Sequence, residues 1–251
     1  MQPLISIIIP TYKRLTQLER LLLSIQSNNV RQIDIIVIDD DPEMSAAMLV
    51  SKYNKTRYIA KRGINRGLSI SRNLGISLSI GKYLMFIDDD DYLYDTALES
   101  YLEQFEPSIA FYYSNFNYVR STGIEHKILN NLTQDKILVV NHIPVGAYMI
   151  EKSAIQSGFD PLMKSHEDWE FLLKNVKINE SKHISTATIA IDKTGNGDQS
   201  MQIRRRSHFW LDFIAIYGKF PAPNLAKERS AFLLSLGLDL SSEALTHSDT
   251  Y

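Results

Sequence analysis

The chain has 251 residues, and its 27 basic and 29 acidic side chains give a formal net charge of -2. A charge this close to zero argues against a general nucleic-acid binder, which is usually basic overall. Cysteine is absent, which excludes disulfides, thiolate metal sites and cysteine nucleophiles. The length supports one large domain with a sizeable core, and 44% hydrophobic residues exclude a disordered chain.

Strand and helix patterns alternate through the first hundred residues. Largely apolar runs predict buried strands, and apolar residues at helical spacing predict helices between them. The predicted strands are Leu4–Ile9, Ile33–Ile38, a short one around Tyr58, and Tyr83–Ile87. The predicted helices are Leu15–Ile25, Ser45–Lys52, Gly67–Leu78 and Thr96–Phe105. This alternation indicates βαβ units and a mainly parallel α/β sheet.

The pattern changes after Ile109. The predicted strands are an aromatic-rich one at Ile109–Val119, two short ones at Ile137–Val140 and Ala147–Ile150, and one at His183–Ile191. The predicted helices are Glu167–Val176, Ser207–Tyr217 and Asn224–Leu236, with a flexible loop at Gly195–Gln199 and a polar tail at Ser241–Tyr251. No linker or internal repeat interrupts the chain, so we expect one continuous domain with a helical C-terminal extension.

Two runs of aspartate begin where predicted strands end, at Asp39–Asp41 and Asp88–Asp91. Without these seven residues the chain has 27 basic and 22 acidic side chains, a net charge of +5. Ligands of open α/β sheets bind beyond the carboxyl ends of the strands, so both runs are expected to face one crevice. Solvated acidic turns are the alternative. The paired positions favour a Mg²⁺ or Mn²⁺ site, because carboxylate oxygens are preferred ligands of these cations.

Two further segments carry polar groups suited to a nucleotide or to catalysis. Gly67 permits a tight turn into a helix, and Arg72 lies where it could bind a phosphate or a nucleobase carbonyl; an exposed arginine at a helix start is the alternative. Glu167 and Asp168 stand in the first turn of a helix, where acids are common because the helix dipole favours them. The functional interpretation makes one of these two carboxylates a general base.

Taken together, these segments resemble glycosyltransferase family 2, a large inverting family with the GT-A fold. The motifs occur in the family's order at Ser6–Arg14, Ile35–Asp40, Asn65–Asn73, Tyr83–Asp91 and Gly158–Trp169. The resemblance implies a Rossmann-like open mixed, mainly parallel sheet flanked by helices over residues 1–206. It divides this domain into a nucleotide-binding half, about 1–105, and an acceptor-binding half, 106–206, followed by a helical C-terminal extension and tail at 207–251.

The resemblance also implies roles for individual residues. Asp88 and Asp90 would be the acids of a DxD motif, with Asp90 the direct ligand of Mn²⁺ or Mg²⁺ and Asp88 or Asp89 touching ribose or a metal-bound water. Asp168 would be the catalytic base, and Glu167 would orient the acceptor or Asp168. The implied nucleotide-binding residues are Pro10, Thr11, Tyr12, Arg14, Asp39, Asp40, Asn65, Gly67, Arg72, Asp88 and Asp89.

The implied activity is the metal-dependent, inverting transfer of a sugar from a nucleotide sugar, preferably a UDP-sugar. The acceptor would be a hydroxyl of a glycan or lipid-linked glycan, as in bacterial surface polysaccharide synthesis. Two alternatives stay open. One is a GT-A-like scaffold that binds nucleotide without turnover. The other is an Asp-dependent phosphohydrolase. That class usually carries its Asp-x-Asp motif after the first strand, whereas here the motif follows the fourth predicted strand, which ends at Ile87.

Location and the C-terminal region are read from weaker patterns. The first residues lack the features of a secretory signal, so we expect a cytoplasmic protein, free or peripheral on the cytoplasmic face of the membrane. The helices after Ser207 would serve membrane attachment, homodimer contacts or core packing. Arg204–Arg206 would close over the diphosphate, form a solvated turn or meet anionic lipid. His142 and His166 would contact an acceptor or be structural.

Overall fold

The computed structural model describes residues 3–62, 65–130, 132–194, 209–240 and 245. The strands are β1 (Ile5–Thr11), β2 (Ile33–Asp39), β3 (Thr56–Ala60), β4 (Tyr83–Phe86), β5 (Tyr92–Leu93), β6 (Phe111–Arg120), β7 (Gly123–Lys127), β8 (Tyr148–Glu151) and β9 (Lys182–Asp192). The helices are α1 (Leu15–Ser27), α2 (Ala47–Val50), α3 (Leu68–Leu78), α4 (Ala97–Glu103), α5 (Gln134–Val139), α6 (Glu167–Asn175), α7 (residues 209–219) and α8 (Ala226–Ser235). The predicted loop at 195–199, the Arg204–Arg206 run and nearly all of the predicted tail lie outside the described residues.

One mixed sheet contains all of these strands, in the order β3-β2-β1-β4-β8-β6-β9-β5, with β7 paired to β6. The first four strands pair in parallel, so their carboxyl ends lie at one edge. Antiparallel β8 then joins β4 to β6, and β6 runs parallel to β9. The α/β class and the mixed sheet are therefore confirmed, with the four adjacent parallel strands β3, β2, β1 and β4 all within residues 1–105.

Burial explains why the apolar runs predict the strands so well. Every residue of β1 is buried, because the strand is flanked by β2 and β4 and packed on both faces. Helix α1 buries one face through Leu18, Leu21, Leu22 and Ile25, which recur at helical spacing. A strand in the centre of the sheet is thus buried on both faces, and its sequence is a nearly continuous apolar run.

Three parts of the secondary structure differ from the prediction. The strand predicted at Ile137–Val140 is wrong, because these residues belong mostly to helix α5. The Thr133 side chain accepts a hydrogen bond from the Lys136 amide and caps that helix. Strands β5 and β7 are unpredicted; β5 has only two residues, and β7 pairs with β6 across a tight turn at the sheet margin.

Within the part of the chain that the structure describes, the buried hydrophobic residues form two clusters. The larger runs from β1 to β9 and joins both halves of the domain. The smaller consists of Trp169 on α6 together with Phe213, Ile216, Tyr217 and Leu233 from the C-terminal helices. Of the three roles considered for those helices, packing on the core is therefore the one seen. None of the helices in the described ranges combines the length and apolarity needed to cross a bilayer.

Gly75 lets α3 approach β1 closely, and Gly75→Ala is expected to destabilise the protein by about 1–3 kcal/mol, the cost typical of overpacking. An added Cβ would lie 2.3 Å from Ile8 Cγ2 and 3.2 Å from Ile38 Cδ1. Urea unfolding measures the change. Gly218→Ala is the matched control, because Gly218 is an exposed helical glycine with nothing within 4 Å of an added Cβ. That control should stabilise by about 0.5–1 kcal/mol, and equal effects at both positions would contradict the packing argument.

Candidate active site

A crevice of about 990 Å³ opens beyond the carboxyl ends of β1 and β4. Helix α6 and the end of β9 close its other side. His142 and His166 also line it. The predicted site residues that line this crevice are Pro10, Thr11, Tyr12, Arg14, Asp40, Arg72, Asp88, Asp89, Asp90, Glu167 and Asp168.

Three predicted nucleotide-binding residues do not line it. Asp39 is fully buried, and its carboxylate accepts hydrogen bonds from the amides of Asp41 and Ala46 and from the Tyr58 hydroxyl, which fixes the turn after β2. Asn65 is exposed outside the crevice. Gly67, with φ 118°, donates its amide to Asp40 Oδ2 at 2.7 Å. Asp40, and not Asp39, therefore faces the crevice.

The acidic run after β4 is fixed to the end of β1. The Thr11 hydroxyl donates to Asp89 Oδ2 at 2.7 Å. Arg14 Nη1 lies 3.2 Å from Asp89 Oδ1 and 2.6 Å from Asp90 Oδ2. Asp89 is only 5% exposed, so it serves as the internal anchor of the run. Asp90 is more accessible than Asp89, with 38% of its side chain exposed, and it lines the crevice.

The other end of the run is fixed to β9. Asp91 is buried, and its Oδ1 accepts the amide of Asp192 at 3.0 Å. Arg20 on α1 forms an ion pair with Asp192 at 2.7 Å and donates to the Asp90 carbonyl oxygen. The run is thus attached to β1, α1 and β9 at once. Its geometry depends on both halves of the domain.

The charge of the run suits a divalent cation. Burial, opposed by Thr11 and Arg14, raises the pKa of Asp89 to about 6. Burial, followed by the charge of Asp88, raises the pKa of Asp90. Burial, followed by the charges of Asp88 and Asp90, raises the pKa of Asp91. A cation would relieve this repulsion. Asp88 Oδ2 and Asp90 Oδ1 lie outside the ion pairs with Arg72 and Arg14 and are oxygen donors of the kind that Mg²⁺ and Mn²⁺ prefer.

No three acidic or histidine side chains of the described residues already converge on one point. A cation here would therefore complete its shell with waters and with oxygens of a bound phosphate, which is how Mg²⁺ is commonly held. The donor set fits such an ion, and Asp88 and Asp90 are the residues that would hold it.

Arg72 joins the acidic run to α6. Its guanidinium donates to Asp88 Oδ1 at 2.7 Å and to Glu167 Oε1 at 3.0 Å, and the carbon between its nitrogens stands 5.1 Å from the centre of the Phe159 ring. The side chain is 1% exposed. A buried arginine with two carboxylates is a strong, directional contact. Arg72 therefore fixes the relative position of the two acidic elements, although the sequence pointed to a ligand of phosphate or base.

Asp168 is the second residue of α6, directly after Glu167. Its Oδ2 accepts from Asn141 Nδ2 at 2.9 Å, and its Oδ1 accepts from the Trp169 amide at 2.8 Å. Burial, followed by the negative charge of Glu167, raises the pKa of Asp168 to about 7, against the opposing charge of Arg72. A carboxylate with a pKa near neutrality is suited to take up a proton.

Several residues of the site have no sequence signal. Asn141 lies in a mixed polar and apolar stretch beside His142, and nothing in its neighbours marks it as the partner of Asp168. Arg20 reads as one polar position on an amphipathic helix. Asp192, by contrast, is the last residue of β9 and stands at a strand end like the two aspartate runs, and that position is a signal that could have identified it.

Comparison with known proteins identifies the fold and the family. The model of Glycosyl transferase family 2 matches residues 6–150. An uncharacterized glycosyltransferase of Haemophilus influenzae is 28% identical over 218 residues, which are 76% of this chain and 72% of that protein. The GalNAc(5)-diNAcBac-PP-undecaprenol beta-1,3-glucosyltransferase of Campylobacter jejuni is 28% identical over 117 residues, which are 45% of this chain and 38% of that protein.

The structure of S. aureus TarS 1-349 in complex with UDP-GlcNAc superimposes with a TM-score of 0.63 at 18% identity, over 78% of this chain and 60% of that one. The chain thus spans less than two thirds of TarS 1-349, and the likeness concerns the fold, which confirms the predicted GT-A arrangement. The family model covers more than half of the sequence, including both aspartate runs. The chain belongs to glycosyl transferase family 2.

Proposed function

We propose that the protein transfers a sugar, with inversion, from a nucleoside diphosphate sugar to a hydroxyl of a saccharide or lipid-linked saccharide. The observation that carries this proposal is the meeting of two acidic elements in one crevice. The acidic run after β4 and the Glu167–Asp168 pair on α6 both line it, and Arg72 binds to each. One element suits a diphosphate with its cation, and the other suits proton removal from an acceptor.

The donor side is argued from the ends of β1 and β2. Asp40 faces the crevice, and Lys61 Nζ at 2.9 Å and the Gly67 amide at 2.7 Å hold its carboxylate. Tyr12 is 52% exposed, and its ring can pack against the nucleobase of the donor. The TarS complex contains UDP-GlcNAc, and the Campylobacter relative is named a glucosyltransferase. These support a nucleotide-sugar donor, with UDP as the preferred nucleotide.

The chemistry follows from where the charges lie. Asp168 accepts the proton of the acceptor hydroxyl, and the oxygen attacks C1 of the donor sugar opposite the bond to the diphosphate. That bond breaks, the anomeric configuration inverts, and no covalent enzyme intermediate forms. A divalent cation held by Asp88 and Asp90 would act as a Lewis acid on the leaving diphosphate. Asn141 and Trp169 hold the base in place, and burial together with the charge of Glu167 keeps the pKa of Asp168 high.

Thermal unfolding with nucleotides tests this proposal. UDP at about 100 times its Kd, together with Mn²⁺, should stabilise the protein by about 2.7 kcal/mol and raise Tm by about 5–10 °C. UMP at the same concentration should stabilise less, because it lacks the second phosphate and binds more weakly. EDTA should remove the difference in Tm between UDP and UMP. If no nucleoside diphosphate raises Tm in either condition, the donor assignment is wrong. A shift without sugar transfer from any of a panel of nucleotide sugars would favour a binding scaffold.

A further inference from the structure

The end of the short helix α5 is held by side chains from other elements. The last carbonyls of any helix have no partner within it. Here the Ile137 carbonyl accepts from Trp169 Nε1 at 2.6 Å, and the Leu138 carbonyl accepts from Arg229 Nη2 at 2.8 Å. The Val139 carbonyl accepts from the Tyr217 hydroxyl at 2.7 Å. Two of these donors belong to the C-terminal helices α7 and α8.

Asn141 stands two residues beyond this fixed helix end. Its Oδ1 accepts the Ile143 amide at 3.0 Å, which sets the orientation of the side-chain amide. Its Nδ2 then donates to Asp168 Oδ2 at 2.9 Å. The position of the Asp168 carboxylate is therefore tied to the end of α5, and the end of α5 is tied to Tyr217 and Arg229.

Helix α7 also contacts the chain immediately before the acidic pair. Asp212 Oδ2 accepts the amides of Lys164 and Ser165, at 3.1 and 2.7 Å, and the Ser165 hydroxyl at 2.8 Å. His166 follows with φ 58°, a left-handed conformation that turns the chain into α6. The same helix thus contacts two segments that lead to Asp168, the end of α5 through Tyr217 and residues 164–165 through Asp212.

We infer that the C-terminal helices act as a positioning element for Asp168 by two routes, one through the α5 end and Asn141 and the other through Asp212 and the chain before α6. The inference rests on the proposed role of Asp168 as the base. A base must lie within hydrogen-bond reach of the proton that it removes, and a small misplacement lowers the rate steeply. Tyr217, Arg229, Asp212 and Asn141 are positioning residues, since each acts through Asp168.

Steady-state kinetics of four variants tests the inference. Asn141→Ala removes a hydrogen bond to a charged group and should lower kcat for transfer by about 10- to 100-fold. Tyr217→Phe removes one neutral hydrogen bond and should lower kcat by about two- to tenfold, and Asp212→Ala should lower it at least as much. Donor KM and the Kd for UDP should stay unchanged in all three. Tyr83→Phe is the matched control, because its buried hydroxyl donates to the Ile109 carbonyl at 2.8 Å.

The control should lose a similar amount of thermal stability to Tyr217→Phe and none of its kcat. The Asn141→Ala/Tyr217→Phe double variant should be no slower than Asn141→Ala alone, because both changes act along one chain of contacts. Losses that multiply, or a kcat that falls equally in Tyr83→Phe and Tyr217→Phe, would overturn the inference.

Asp168→Asn separates this inference from the proposed function. If that variant is inactive while Asn141→Ala, Asp212→Ala and Tyr217→Phe all retain full kcat, the base assignment stands and the positioning element is refuted. If Asp168→Asn transfers sugar at the normal rate, both are refuted. Inactivity of Asp168→Asn together with the graded kcat losses supports both.

Discussion

Asp168→Asn is expected to lower sugar transfer by about 10²- to 10⁴-fold, the range typical of a lost general base, while UDP binding stays within about twofold. Asparagine keeps the shape of the side chain and can still contact Asn141, but it cannot take up a proton at neutral pH. Product formation at saturating donor and acceptor measures the first effect, and calorimetric titration with UDP and Mn²⁺ measures the second. An equal loss of both would mean that Asp168 serves the structure of the crevice.

The pH dependence sharpens this prediction. A base must be ionised to accept a proton, so transfer should fall as the pH drops through the pKa of Asp168, which burial and Glu167 raise to about 7. Glu167→Gln removes the second of these causes and should move the acidic limb of the kcat/KM profile to lower pH. Asp95→Asn, an exposed aspartate outside the crevice, is the matched control and should leave the limb in place. A limb that ignores Glu167→Gln would contradict the assignment of Asp168.

Asp90→Ala is expected to lower metal-dependent turnover by about 10²-fold or more, comparable to the loss of a group that stabilises the leaving charge. The substitution removes one of the two accessible carboxylates of the run, Asp88 being the other, and leaves Arg14 paired with Asp89 alone. Titrating activity with Mn²⁺ should show a higher midpoint or no saturation. Asp90→Asn, which retains the size of the side chain, should behave in the same direction.

Asp91→Asn provides the contrast for the metal titration. Asp91 is buried and accepts the Asp192 amide, so its substitution should change Tm while the Mn²⁺ midpoint stays within about twofold. Asp90 would then control the Mn²⁺ midpoint, and Asp91 would control the thermal stability. Full turnover of Asp90→Ala at an unchanged Mn²⁺ midpoint would refute its role as a ligand.

Most of the sheet could be predicted from the sequence because its central strands are buried on both faces. Leu4–Ile9 and Tyr83–Ile87 are largely apolar runs of a length typical of strands in the centre of an α/β sheet, and the structure has a strand at each. The stretch 137–140 is ambiguous, since four apolar residues suit a strand or a helix end equally. Its helical conformation depends on the Thr133 cap and on contacts from residues about 30 to 90 positions away.

The candidate site divides in the same way. The aspartate runs could be located because each follows a strand and because parallel strands end at one edge. The sequence could not show whether Asp39 or Asp40 faces the crevice. The difference lies in which of the two carboxylates accepts hydrogen bonds from the Ala46 amide and the Tyr58 hydroxyl, and this is Asp39. The partners of Arg72 and Asp168 depend on side-chain directions in three dimensions, which no spacing in the sequence encodes.

The pairing of β5 with β9 has a consequence for the point during synthesis at which the chain becomes able to bind a nucleotide. The acidic run is attached to the early part of the chain through Thr11 and Arg14, but β5, directly behind it, pairs with residues 189 and 190. That pairing spans almost a hundred residues, so it carries a large loop-closure cost and forms late. A nascent chain that has emerged only through residue 105 has β1 to β4 and both aspartate runs, yet lacks the strand that fixes the second run. Nucleotide affinity should therefore arise only after β9 has been made, and not stepwise with the first half of the domain.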